Sequence, residues 1–118
     1  MKLTNADKEN ILATAQWMAD NLTEHESIDW HAEKAMMSRT KLIFGFKKIY
    51  GMGLYHYLTM LRMKVVVSML LYTDEQVNEI AKRVGYTNTG LNHVFFKAFN
   101  MTPTDYRVRH KNMTARTM

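Results

Sequence analysis

The 118 residues are enough for one domain, or for two small ones that share a helix, and scarce proline and glycine favour a helical globular chain. No cysteine is present, which excludes disulfides, thiolate metal sites and thiol nucleophiles. The net charge of +5 is unevenly spread: residues 1–33 carry −5, residues 34–73 carry +7 without one carboxylate, and residues 74–118 carry +3. A long field of one sign is the footprint of a polyanionic partner, and the acidic first third is expected to face away from it.

Helical periodicity predicts seven helices and no strand. The first, about Asp7 to Leu22, has Thr4 or Asn5 as its cap and an apolar stripe of Ile11, Ala15, Met18 and Leu22. The second, about Ile28 to Ala35, follows Ser27, a good cap. The third starts at Ser38 and stops at Gly51, which suits a left-handed closing residue. The fourth, about Leu54 to Leu71, carries Leu58, Leu61, Val65 and Met69 on a buried side. Thr73-Asp74-Glu75-Gln76 has the form of a capping box opening the fifth, which stops before Gly85. Thr87 caps the sixth, which ends near Asn100. Thr102, Pro103 and Asp105 give the seventh a cap, a first-turn proline and an acidic third residue. Asn112–Met118 is read as a flexible polar tail.

Shifted by 49 residues, the chain falls on itself. Ile28, Ala32, Met37, Ser38, Thr40, Leu42, Phe46, Lys48, Tyr50, Met52 and Tyr57 coincide with Val77, Ala81, Tyr86, Thr87, Thr89, Leu91, Phe95, Lys97, Phe99, Met101 and Tyr106. Each copy has the parts of a helix-turn-helix: a short first helix, a tight turn and a second helix whose outer face is free. Ala32 and Ala81 are small enough for the two helices to cross closely. Gly85 suits a left-handed turn. Its counterpart Met36 either bears strain of roughly 1–2 kcal/mol or marks a first turn built differently. The expected fold is all-α: two homeodomain-like helix-turn-helix subdomains joined by a long linker helix. The first spans residues 1–53 with the acidic N-terminal helix, the linker 54–72, the second subdomain 73–111, and the tail 112–118.

Two such units on a basic chain suggest one protein that reads double-stranded DNA twice. In the third helix Leu42, Gly45, Phe46 and Ile49 are assigned to the inner side, and Thr40, Phe44, Lys47 and Lys48 to the outer. In the sixth, Leu91, Val94, Phe95 and Phe99 are inner, and Thr89, His93, Phe96 and Lys97 outer. Residues near the start and on the outer face of a recognition helix reach base edges; hydroxyls and lysines around them neutralise or hydrogen-bond phosphate. The base-reading candidates are Arg39, Thr40, Ile43 and Phe44, then Asn88, Thr89, Asn92 and His93. The phosphate candidates are Ser38, Lys41, Lys47, Lys48, Thr87 and Lys97.

This order of elements resembles the DNA-binding module of the AraC/XylS-type transcription regulators, over about Ile11 to His110. The second half carries the resemblance best: Val77-x-x-Ile80-Ala81-x-x-Val84-Gly85-Tyr86, then Phe95 and Phe99, then Met101-Thr102-Pro103-x-x-Tyr106-Arg107. In the first half it rests on Ser38-x-x-x-Leu42-x-x-x-Phe46-Lys47-Lys48-x-x-Gly51 and Tyr57-Leu58-x-x-x-Arg62-Met63. The resemblance implies sequence-specific transcription control by two units joined through the fourth helix, often activation through contact with RNA polymerase. Three departures stand out. The family often places Arg at the positions of Phe44 and His93, and Lys at that of Phe96, and the Gly85-to-Leu91 spacing is one residue shorter than usual. Most members add a sensor domain, for which this chain has no room, so it resembles the stand-alone regulators or a fragment of a longer one.

The expected function is a bacterial, cytoplasmic regulator that binds duplex DNA as a monomer, with recognition helices in successive major grooves. The alternative is an interaction module that contacts RNA polymerase or another regulator through Phe44 and Phe96. No catalytic role, cofactor or metal is expected. Ser38 reads as a cap rather than a nucleophile, and the five histidines show no ligand spacing. DNA-repair proteins with a similar module need a cysteine. His31 falls at an apolar helix position, Trp17 and Trp30 read as packing residues, and Arg62 as a structural or phosphate-contacting residue. Around Val65–Leu71 the charge-free run is short for a membrane span, and no signal peptide opens the chain, so no membrane partner is expected.

Overall fold

Side-chain caps set most of the helix starts. In the computed structural model, which describes the backbone of residues 1–117 and the side chains of residues 1–111, the described residues form seven helices and no strand. They are α1 (Asn5–Asp20), α2 (Ile28–Lys34), α3 (Arg39–Tyr50), α4 (Leu54–Tyr72), α5 (Val77–Arg83), α6 (Asn88–Phe99) and α7 (Pro103–Thr117). The expected flexible tail, Asn112–Met118, lies outside the described side chains. Thr4 and Asp7 form a reciprocal capping box at α1, with hydrogen bonds of 3.0 and 2.9 Å. Ser27, Ser38, Thr87 and Thr102 each accept a backbone N–H of the first turn that they open.

The capping box expected at α5 does not form. Gln76 is its N-cap and makes no side-chain cap bond. The Thr73 hydroxyl donates to the Met69 carbonyl at 2.7 Å and its oxygen accepts from Glu75 N–H at 3.3 Å; α5 begins at Val77, so Thr73 lies outside its first turn.

The chain divides into two units, Met1–Leu61 and Arg62–Met118, and the division falls inside the unbroken α4. The first core contains Ile11, Ala15, Met18, Ala32, Leu42, Phe46, Leu54 and Leu58. The second contains Met63, Val66, Leu70, Ile80, Ala81, Val84, Leu91 and Phe95. The repeat therefore extends further than its sequence signal. Buried Ile11, Thr14 and Met18 of α1 have their counterparts in buried Met63, Val66 and Leu70 of α4, at a shift of 52 rather than 49. The register changes because the segment before α5, residues 73–76, is three residues shorter than residues 21–27 before α2. One end of α4 closes the first core and the other opens the second. This double duty makes α4 long and apolar enough on average to cross a membrane, although Arg62 and Lys64 sit at its middle.

At Gly45 the Ile11 side chain of α1 packs directly on α3: a Cβ there would lie 2.5 Å from Ile11 Cδ1 and 3.0 Å from Leu3 Cδ2. Arg62 is buried, with its guanidinium 5.0 Å from the Tyr86 ring centre, which makes it a packing residue of the second unit rather than a phosphate contact.

His31 is buried beside Trp17 and Trp30, with ring centres 5.5 and 5.1 Å away, at the position that Ile80 holds in the second unit. Burial holds its imidazole below the ordinary 6.5, against a smaller opposing pull from Glu26. The folded first unit thus resists a proton that the unfolded chain accepts. Its stability is expected to be full above about pH 6.5 and to fall as pH drops through the window between the unfolded and folded values. Urea midpoints at pH 7.5 and 5.5 check this: His31→Ile should flatten the difference. Asp7 and Asp74, both lowered, act in a separate window below 3.8.

Candidate nucleic-acid interface

The two helix-turn-helix units match in the turn between their helices and in the caps of their recognition helices. In the turn before α3, Met36 is left-handed with φ 56°, and in the turn before α6, Gly85 has φ 85°. Met37 N–H donates to Ala32 at 3.1 Å, and Tyr86 N–H to Ala81 at 2.9 Å. The first turn is therefore built like the second, and Met36 bears the roughly 1–2 kcal/mol strain of the left-handed region. Both recognition helices end in a left-handed residue, Gly51 at φ 76° and Asn100 at φ 58°. Beneath each lies an aromatic trio. Phe46, Tyr50 and Tyr57 have ring centres 4.7–5.4 Å apart, and Phe95, Phe99 and Tyr106 4.5–5.4 Å apart. These pin the inner sides and leave the outer sides to solvent.

On α3, Ser38, Arg39, Thr40, Ile43, Phe44, Lys47 and Lys48 are exposed. On α6, Thr87, Asn88, Thr89, His93 and Lys97 are exposed and Asn92 is half-buried. The Ser38 and Thr87 oxygens already accept from Lys41 N–H and Gly90 N–H, which leaves their hydroxyl hydrogens to donate. Lys48 Nζ lies 5.6 Å from the Phe44 ring centre. Ile49, assigned inward, is 37% exposed; Gly45 and Phe46 already fill the space against α1 and α4, and its repeat counterpart Ala98 is also exposed.

Two carboxylates from the acidic segment reach the first turn of α3, contrary to the expectation that this segment faces away. Asp7 pairs with Lys41 at 2.6 Å, and Asp29 with Arg39 at 3.2 Å. The hydrogen bond from Lys41, with that from the Thr4 backbone, holds the Asp7 carboxyl below the usual range. Lys41 is half-buried in this pair, which makes it the poorest of the phosphate candidates. Neither acid announces itself in the sequence, because the pairing depends on how α1 and α2 pack on α3. The first turn of α6 carries no charge, and the neighbouring Lys82 and Arg83 of α5 pair with Glu79 and Glu75. Among the described residues no cluster of His, Asp and Glu is arranged to hold a metal ion.

A pair of matched helix-turn-helix units, the first with a basic outer face, defines a DNA-binding module. Residues 31–109 match the family described as a helix-turn-helix domain. Multiple antibiotic resistance protein MarA of Salmonella typhimurium is 27% identical over 119 residues, an alignment that takes in 100% of this chain and 94% of that protein. The lactose operon transcription activator of Staphylococcus xylosus is 28% identical over 100 residues, 84% of this chain, which spans 36% of that activator's length. The DNA-binding domain of the global transcriptional factor AdpA, solved with a target DNA, shares the fold. Its TM-score is 0.80 at 23% identity, with 87% of this chain and 94% of that one covered. The chain belongs to the AraC/XylS-type family of helix-turn-helix regulators: it is a DNA-binding transcription regulator and not an enzyme.

Proposed function

We propose that this protein binds a two-part duplex operator as a monomer, with α3 in one major groove and α6 in the next on the same face. The observation that carries this reading is the matched pair of units: the same turn, caps and aromatic trio recur on either side of one unbroken helix. At about 1.5 Å per residue, a helix the length of α4 suits half-site centres about one turn, roughly 34 Å, apart. Arg39, Thr40, Ile43 and Phe44 read the first half-site, and Asn88, Thr89, Asn92 and His93 the second. Ser38, Lys47, Lys48, Thr87 and Lys97 bind phosphate. The protein acts in the cytoplasm of a bacterium, as an activator that contacts RNA polymerase, in keeping with the activators among its relatives.

Selection from a random duplex pool at about 0.15 M salt, where purely electrostatic binding is weak, tests the reading. It should enrich two elements one turn apart; no enrichment would overturn it. Phe44→Ala is expected to change base preference at the first element only, because an exposed ring packs on thymine methyls and carries no charge. Lys47→Ala should weaken all sequences alike and lower the salt slope by about 1. Equal losses on every duplex for Phe44→Ala would contradict the first of these.

A second reading has a specific observation behind it: Phe96, which the first reading gives no role, is 51% exposed, and Phe44 is 37% exposed. In that reading the two rings contact RNA polymerase or another regulator. A charge-reversed Lys47/Lys97 double variant that kept full activity would favour it over the first.

A further inference from the structure

Arg39 is the first residue of α3, where a recognition helix brings side chains to base edges. One of its terminal guanidinium nitrogens, Nη1, donates to Asp29 Oδ1 at 3.2 Å across the helix-turn-helix turn. Both side chains are exposed, at 55% and 74%. A surface pair of this kind adds little to stability. Its consequence is geometric: a long, many-rotamer side chain is held at one end while its other N–H donors stay unspent on Asp29. An acid beside a DNA-facing surface weakens binding to every sequence. Asp29 is brought to this face from outside residues 34–73, which contain no acid. The second unit has Asn78 and Asn88 at the two equivalent positions, so the device exists in one unit alone.

We propose that Asp29 is a specificity-determining residue that positions the Arg39 guanidinium for bidentate reading of a guanine in the first half-site. The proposal rests on the reading of α3 as a base-reading helix. A guanidinium presents parallel N–H donors that match guanine O6 and N7. An untethered arginine also samples phosphate oxygens, which carry no sequence information. Tethering by Asp29 restricts that sampling and concentrates the binding energy on the base. The two half-sites are therefore read by different chemistry: a buttressed guanidinium in the first and the side-chain amide of Asn88 in the second.

The test uses the full chain and three duplexes: the selected operator, the same operator with the candidate guanine changed to adenine, and a scrambled duplex. Affinities are measured by fluorescence anisotropy at about 0.15 M salt for wild type, Asp29→Ala, Asp29→Asn, Asp29→Glu and Arg39→Ala, with circular dichroism confirming the fold of each. Arg39→Ala should abolish the guanine preference, about tenfold or more in wild type. Asp29→Ala and Asp29→Asn should reduce that preference to about threefold or less while binding the scrambled duplex more tightly. Asp29→Glu should retain most of it, and the Asp29→Ala/Arg39→Ala double variant should discriminate no worse than Arg39→Ala. If Arg39→Ala is base-specific while the Asp29 variants shift all three duplexes by one factor, Asp29 acts only as a charge and the proposal falls alone. If Arg39→Ala itself acts uniformly, the proposal falls together with base reading by Arg39.

Discussion

Phe95→Ala is expected to destabilise the second unit by about 3–5 kcal/mol, and Phe46→Ala the first by a similar amount. Both rings are fully buried at the same position of the repeat. Phe95 lies tilted against Phe99 at 4.5 Å and meets Tyr106 edge-on at 5.4 Å, so truncation removes ring contacts as well as buried area. The cavity would lie directly beneath the recognition helix, and the loss of its inner anchor should weaken base discrimination before it unfolds the unit. Urea unfolding followed by far-ultraviolet circular dichroism reads both units. Trp17 and Trp30, the only tryptophans, both lie in the first unit, so their fluorescence reports on that unit directly. Phe46→Ala should shift the fluorescence midpoint and Phe95→Ala the dichroism midpoint. A cost below about 1 kcal/mol for either would contradict its place in the core.

Arg107→Ala is expected to cost about 2–4 kcal/mol, unusually much for a residue that is not fully buried. The last carbonyls of a helix have no partner within it. At the end of α4 the Arg107 guanidinium supplies one: Nε donates to Leu70 O at 3.1 Å and Nη2 to Met69 O at 3.3 Å. The same side chain donates to Thr73 O at 3.2 Å and Glu75 O at 2.7 Å in the segment that leads to α5. Lys111 joins it on Thr73 O and on the Asp74 carboxylate. α7 is thereby bolted to the end of α4, and the entry to the second helix-turn-helix is held. Arg107→Lys should recover only part of the loss, because a single ammonium cannot span four carbonyls. Matching midpoints for wild type and Arg107→Ala in urea would remove this role.

The Arg107 clamp illustrates where sequence reasoning stopped. The motif that contains Tyr106 and Arg107 was visible, but its partners lie more than thirty residues away. The repeat offers no hint, since the equivalent of Arg107 is Leu58. The capping box at Thr73 fails for a related reason: where α5 begins is set by packing, and its first residue is Val77, four positions beyond Thr73. Ser27, Ser38, Thr87 and Thr102 were legible because each cap acts within its own first turn. The inner and outer sides of α3 and α6 were legible except at Ile49, whose spacing puts it inward but which is exposed because Gly45 and Phe46 already fill the space there.

Caps, periodicity and internal likeness are local or self-referential signals, and they were enough to specify the helices, the repeat and nearly all of the outward sides of α3 and α6. That α4 serves both cores, that Met36 accepts a left-handed turn, and that Asp7 and Asp29 meet Lys41 and Arg39 became visible in the folded chain alone. Those outcomes depend on packing between segments distant in the chain, where burial and charge pairing outweigh local preference.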